Sequence, residues 1–314
     1  MMTTRPLIAL MAASMLAACG SGSAPQETAT ADNAEAPAPA PADQVHPFRI
    51  GDLTAYALQD GSFDFPNDGK TFGLGHRPEE VSALLAGAGL PTDRLSVDIH
   101  PLLVQAPDAV MLFDTGVGSK GGENGGRLPA SMAAAGVDPA SVTDIFISHT
   151  HGDHVGGLLK ADGALAFPNA RVHMSAPEWA WLQDQAKQSE TAAALVKAIA
   201  PKVASFAPGA EILPGLVKAV EIRGHTPGHS GYRITSGDSS LLYAGDAMHH
   251  YVVSVREPDW PIQFDGDKPV AAASRRALLD QSAKTGQRLY LVHFPFPGLG
   301  TVKAEGNGFA WVPE

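Results

Sequence analysis

Cysteine is almost missing from this chain: a single one, Cys19, stands among 314 residues. That excludes an intramolecular disulfide framework and a cysteine-rich zinc site. Positive charge is also scarce, with 22 Lys and Arg against 33 Asp and Glu and a formal net charge of −11. A chain this acidic has no field to attract a phosphate backbone, which argues against nucleic acid as a partner. The apolar run from Leu7 to Ala18 is shorter than the ~20 residues that a spanning helix needs. No Ser-centred nucleophile elbow is present. With 44% hydrophobic and 18% charged residues, the chain is neither disordered nor a transmembrane bundle. What it does have is 33 Gly and 25 Pro, which imply many turns and a linker, and 12 His.

Residues 1–19 read as an export signal, with Arg5 as a short positive start before the apolar run. The run ends in Leu16-Ala17-Ala18-Cys19-Gly20, which resembles the bacterial lipobox. That resemblance implies a mature chain that begins at a lipid-modified Cys19. Such a chain would be membrane-anchored at the periplasmic face of the cell envelope, at the outer membrane. Residues 20–45 are rich in Ala, Pro, Ser, Gly and acidic residues, and such a segment buries too little to fold. It is expected to be a disordered tether. Residues 46–314 are then one large domain, with no internal repeat evident. Monomer and homodimer are both compatible with the sequence.

Along that domain, Phe48 to Ile50 and Leu53 to Leu58 read as a hairpin around Gly51-Asp52. Residues 62–94 are loop-rich with a helix from Pro78 to Ala86. Strands are expected over Ile99 to Val104, Ala109 to Phe113 and Val142 to Ser148, with a short helix from Leu128 to Ala135. A strand at Arg171 to Met174, a helical stretch from Pro177 to Ala200 and a strand at Val217 to Ile222 follow. A hairpin around Gly237-Asp238, a helix from Ala271 to Ala283 and a buried strand at Arg288 to Val292 complete the pattern. Strands first and then strands interleaved with helices, twice over, predict an α/β architecture of two packed sheets with helices outside.

The chemistry concentrates in Ser148-His149-Thr150-His151-Gly152-Asp153-His154-Val155-Gly156-Gly157, a loop between a strand and a helix. Its ligand-type residues lie too close together for all of them to chelate one ion. His149 and His151, two apart, point the same way in an extended loop. Asp153 and His154, past the Gly152 turn, address a second position. The spacing favours two divalent ions, and imidazole with carboxylate suits zinc or a similar metal. Three further strands run into ligand-type residues: Val220 to Gly224 into His225 and His229, Leu241 to Gly245 into Asp246, and Leu289 to Val292 into His293. Strand C-terminal ends are where sites assemble.

The H-x-H-x-D-H pattern at His149, His151, Asp153 and His154 resembles the metallo-β-lactamase superfamily, as do Asp114 in Phe113-Asp114-Thr115-Gly116, His225, Asp246 and His293. The resemblance implies an αββα sandwich, two mixed sheets face to face with helices outside and two metal ions, zinc above all, at one edge. It assigns His149, His151 and His225 to one ion, Asp153, His154 and His293 to the other, and Asp246 to both. His225 and His229 compete for the same place, and the resemblance favours His225. Asp114 is expected to brace the metal loop, and Thr115 and Thr226 to act as local caps. His249 and His250 line the pocket or face solvent. His46, His76, His100 and His173 carry no assigned role.

The segments Gln59-Asp60-Gly61-Ser62-Phe63, His293 to Gly300 and Ala304 to Pro313 are similar to the methyl parathion hydrolase-like branch, which holds exported phosphotriesterases, arylesterases and lactonases. The implied activity is hydrolysis of carboxylic esters or lactones, acyl-homoserine lactones and phosphotriesters being within the branch's range. The implied mechanism is attack by a hydroxide shared between the ions, with Asp153 and Asp246 as catalytic residues. Trp181, Met248, Phe264 and Phe294 are candidates for the pocket wall. The rivals are a zinc β-lactamase, which generally lacks an acid at the bridging position, and a non-catalytic metal-binding lipoprotein.

Overall fold

The computed structural model describes residues 44–314. The segment expected to be an export signal, residues 1–19 with Cys19, and the expected tether up to residue 43 lie outside the described residues. Gln44 and Val45, counted above with the tether, belong to ordered structure. The Gln44 carbonyl accepts a hydrogen bond from Gln59 N at 2.9 Å, and Val45 opens the first strand.

In chain order the strands begin with β1 (Val45–Ile50), β2 (Leu53–Leu58), β3 (Gly61–Pro66), β4 (Arg94–Ile99), β5 (Leu102–Ala106), β6 (Ala109–Phe113), β7 (Asp144–Phe146) and β8 (Arg171–Ser175). They continue with β9 (Val203–Phe206), β10 (Glu211–Leu213), β11 (Val217–Glu221), β12 (Ser230–Ser236), β13 (Ser239–Tyr243), β14 (Leu289–Tyr290), β15 (Leu299–Glu305) and β16 (Gly308–Pro313). One seven-stranded sheet has the order β1-β2-β5-β6-β7-β8-β9, a second runs from β10 through β16, and β3 pairs with β4 apart from both. Both large sheets are mixed. β6, β7, β8 and β9 are parallel, as is the β13–β14 pair, while the other neighbours are antiparallel.

Side chains that alternate along the strands build the layers. Met111 and Phe113 of β6 and Leu241 and Tyr243 of β13 meet in one core between the sheets. Leu112, between the first pair, faces outward into a second core with Leu128, Met132, Leu182 and Ile199. Leu242, between the second pair, faces a third core with Leu279. α1 (Pro78–Gly87) packs Val81 and Leu85 against Leu95 and Val97 of β4, and the helices that cover the outer faces are α2 (Leu128–Ala134), α3 (Gly152–Val155), α4 (Ala176–Gln185), α5 (Glu190–Ile199), α6 (Val253–Arg256) and α7 (Lys268–Thr285). Their starts are written locally. Ser175, Ser189 and Asp267 cap α4, α5 and α7 by accepting from the backbone N–H three residues on. Gly286, left-handed at φ 66, ends α7. Among the described residues no helix is long and apolar enough to cross a membrane.

The sandwich expected from the sequence is present, with corrections in its elements. The strand expected over Ile99 to Val104 is two strands in different sheets, because Pro101 has no N–H to continue a ladder. The helical stretch from Pro177 to Ala200 is two helices. Strands β3, β9, β10, β15 and β16 were not anticipated, and the last regular strand before His293 is only Leu289–Tyr290.

Candidate metal centre

β6, β7, β11, β13 and β14 all release the chain at the same end of the sandwich, and each exit carries one part of the site. Asp114 follows β6, the His149–His154 segment follows β7, His225 follows β11, Asp246 follows β13 and His293 follows β14. The turn into His225 depends on Gly224, whose φ is 110 and whose Cβ position is filled by the α7 backbone at Val270 and Ala271. All but His151 and Asp153 of the ligand-type residues here are buried.

Among the described residues two donor groups match the sequence expectation, and His249 makes a third cluster with Asp246 and His293, residues that belong to those two. In the first, His149 Nε2 and His151 Nδ1 are 3.0 Å apart, and His225 Nε2 lies 3.2 and 3.0 Å from them. Asp246 Oδ2 joins at 3.6 Å from His149 and 3.3 Å from His225. In the second, Asp153 Oδ2 lies 3.4 Å from His154 Nε2 and 3.6 Å from His293 Nε2. Asp246 Oδ1 is 3.1 Å from each of those two nitrogens. One carboxylate thus turns an oxygen to each group.

Orientation follows from the other ring nitrogen. His225 Nδ1 donates to Asp265 at 3.0 Å, His154 Nδ1 to Asp114 at 2.7 Å, and His293 Nδ1 to the Asp98 carbonyl at 2.9 Å. Ser148 Oγ donates to Asp114 at 2.6 Å and so accepts from His149 Nδ1 at 3.0 Å. Each of these four imidazoles is thereby held with Nε2 facing the centre. His229 is held differently. Its Nδ1 donates to the Ile222 carbonyl at 2.9 Å and its Nε2 accepts from Asp246 N at 2.9 Å, so both nitrogens are spent on backbone.

These residues fit metal ions. Donors about 2.0–2.1 Å from one tetrahedral ion lie about 3.3–3.4 Å from one another, close to the separations here. His154 Nε2 and Asp246 Oδ1 are buried yet make no hydrogen bond, a costly state unless something else satisfies them. Protons and metal compete for the same atoms. Burial works against charge on His225, but Asp246 and Asp265 raise it to about 9. His154 and His293 are likewise raised against burial, chiefly by Asp246. Burial lowers His151 to about 4, with the charge of His225 adding to it, and pushes His149 well down. Burial would raise Asp246, but the surrounding histidines, His154 first, hold it well below its ordinary value.

Asp114 gathers the loop as the sequence leads one to expect, accepting from Ser148 N, Ser148 Oγ, His154 Nδ1 and Tyr243 Oη at 2.6–2.7 Å. Neither threonine acts as the expected cap, which would accept from a backbone N–H: the Thr115 hydroxyl donates to the His154 carbonyl and the Thr226 hydroxyl to Glu178. The donor groups open onto a cavity of about 570 Å³ walled by Phe63, Phe65, Phe72, Val97, Ile99 and Phe264, with Lys120 the one lysine or arginine that lines it among the described residues. Of the expected wall residues, Phe264 lines it, whereas Met248 and Phe294 are core and Trp181 lies against His151 instead. His249 lines the cavity 3.1 Å from Asp246, and His250 is buried with its Nδ1 accepting from Val252 N and Val253 N. His100 and His173 are tied to Tyr290 and Asp144, away from the donor groups.

Sequence reasoning missed Asp265, which no local pattern marks, and the aromatic wall of β3, which alternation in Phe63-Asp64-Phe65 could have disclosed.

Fold and site together define a metal-dependent hydrolase. The profile of the metallo-beta-lactamase superfamily matches residues 98–293, and the chain belongs to that superfamily. It is similar to AidC, a dizinc quorum-quenching lactonase solved with the product N-hexnoyl-L-homoserine: TM-score 0.81, 31% identity, 86% of this chain and 97% of that one. The hydrolase AbOPH follows with TM-score 0.78, 28% identity and the same coverage of 86% and 97%. A probable metallo-hydrolase of Mycobacterium bovis is 26% identical over 223 residues, 59% of this chain and 68% of its own length.

Proposed function

We propose that the chain hydrolyses carboxylic esters or lactones with two divalent ions, zinc the natural choice for nitrogen and carboxylate donors. The observation that carries this reading is the pair of donor groups joined through Asp246 and opening onto an apolar cavity. His149, His151 and His225 would hold one ion, Asp153, His154 and His293 the other, and Asp246 both. Bound there, the metals would supply Lewis acidity that polarises a scissile carbonyl and acidifies water.

The chain's own groups do the rest. Phe63, Phe65, Phe72 and Phe264 seat an apolar acyl or aryl group and keep bulk water from it. Asp153, its side chain 32% exposed at the cavity, takes a proton from the attacking water and passes it to the departing oxygen. An alcohol or phenol needs little such help, whereas a β-lactam departs as an amine that does. The likeness to a lactonase supports the same substrate class.

Turnover of dihydrocoumarin, an acyl-homoserine lactone, a nitrophenyl ester, a phosphotriester and a cephalosporin by the metal-loaded protein tests this. The lactones and the ester should exceed the cephalosporin in kcat/KM by on the order of 10²-fold or more, about 2.7 kcal/mol in the barrier. A cephalosporin at the top would replace the ester reading with a β-lactamase. Silence toward every substrate would leave a metal-binding protein.

The lipobox-like end of the signal supports anchoring of the mature chain to the cell envelope through Cys19. A doubly acylated residue supplies the two hydrophobic signals stable attachment needs. Cys19→Ser should shift the protein from the membrane fraction to the soluble one on cell fractionation. Unchanged partitioning would refute the anchor.

A further inference from the structure

Glu178 belongs to neither donor group, yet it is completely buried at the start of α4. A buried carboxylate is costly unless its lone pairs are used, and here they are divided between two loops. Oε1 accepts from Thr150 N at 2.7 Å and Thr150 Oγ1 at 2.8 Å. Oε2 accepts from Thr226 Oγ1 at 2.7 Å and Gly228 N at 3.0 Å. Thr150 stands between His149 and His151, and Thr226 follows His225. One side chain therefore fastens the two segments that supply the three-histidine group.

The same helix start holds the second segment again. Ser175 Oγ donates to the Gly228 carbonyl at 2.6 Å. A Cβ on Gly228 would collide with Glu178 N and Ser175 Oγ, so the segment approaches the helix as closely as a backbone can. The other donor group has its own anchors, Asp114 on His154 and the Asp98 carbonyl on His293, and Glu178 touches neither.

We propose that Glu178 is a positioning residue for one metal only, setting the spacing between His225 and the His149–His151 pair. The inference rests on the two-metal reading above. The bond from His225 to Asp265 fixes the ring's rotation; Glu178 fixes where the whole segment stands relative to its partners. A positioning group of this kind is worth roughly 10–100-fold in metal affinity.

The test is Zn²⁺ titration of the metal-free full chain against a competing chelator, with stoichiometry by elemental analysis, for wild type, Glu178→Gln, His225→Ala and the double variant. Glu178→Gln keeps shape but turns an amide N–H₂ toward two donors. Thr226→Val, which removes a single hydroxyl donor, serves if the Gln variant does not fold. Wild type should bind two ions. Either variant should weaken one of them by roughly 10–100-fold and leave the other unchanged. In the His225→Ala background, where that ion is already lost, the added substitution should not alter the affinity of the remaining ion. Equal weakening of both ions, no weakening, or a further loss in the His225→Ala background would overturn the positioning role while the two-metal reading stands. A wild-type protein that binds fewer than two ions would overturn both.

Discussion

His225→Ala is expected to carry one metal ion fewer than wild type and to lose on the order of 10³-fold or more in kcat/KM, about 4 kcal/mol of transition-state stabilisation. The ring offers Nε2 to a group already formed by His149 and His151. His229→Ala should behave otherwise, although its ring centroid lies only 5.6 Å from that of His225. Both its nitrogens bond backbone, so both ions should remain. Its loss leaves Asp246 N unpaired and opens a cavity, which should lower stability by about 2–4 kcal/mol. Elemental analysis and denaturant unfolding of the two variants separate these outcomes. Equal metal loss from both, or loss only from His229→Ala, would reverse the assignment.

Asp114→Ala should be the most damaging substitution among residues outside the donor groups. Four donors converge on this carboxylate, from Ser148, His154 and Tyr243. Breaking such a buried network strands its partners and should cost about 3–5 kcal/mol. Ala also fits poorly at the residue's left-handed φ of 56. Asp114→Asn tolerates that backbone but presents an N–H₂ group to N–H and O–H donors, so it should lie between Ala and wild type. Urea unfolding of the metal-free proteins measures the effect apart from metal binding. A loss below about 1 kcal/mol for Asp114→Ala would mean that the bonds to it are weak or readily replaced.

The site was legible in the sequence where its logic is local. His149 to His154 declare themselves by spacing alone, and Asp246 and His293 by standing just past apolar strands. Glu178 and Asp265 were hidden because their partners are far along the chain. Glu178 reaches 28 residues back to Thr150 and 50 forward to Gly228, and Asp265 reaches 40 back to His225. Choosing His225 over His229 needed the resemblance, since two histidines four apart after one strand look alike until their hydrogen-bond partners are known. In the fold, the paired sheets follow from the order of apolar segments. The β15–β16 hairpin did not, because Gly298, Gly300, Gly306 and Gly308 break its apolar pattern.

Strand β4 divides its labour between two kinds of atom. The side chains of Val97 and Ile99 form part of the cavity wall, while the main-chain carbonyl of Asp98 orients His293. Every amino acid brings the same carbonyl, so residues on this strand can be exchanged while the peptide that steers the ligand is kept. Selection for a new substrate therefore has a place to work where specificity is heritable in side chains and the catalytic centre is inherited unchanged through the backbone.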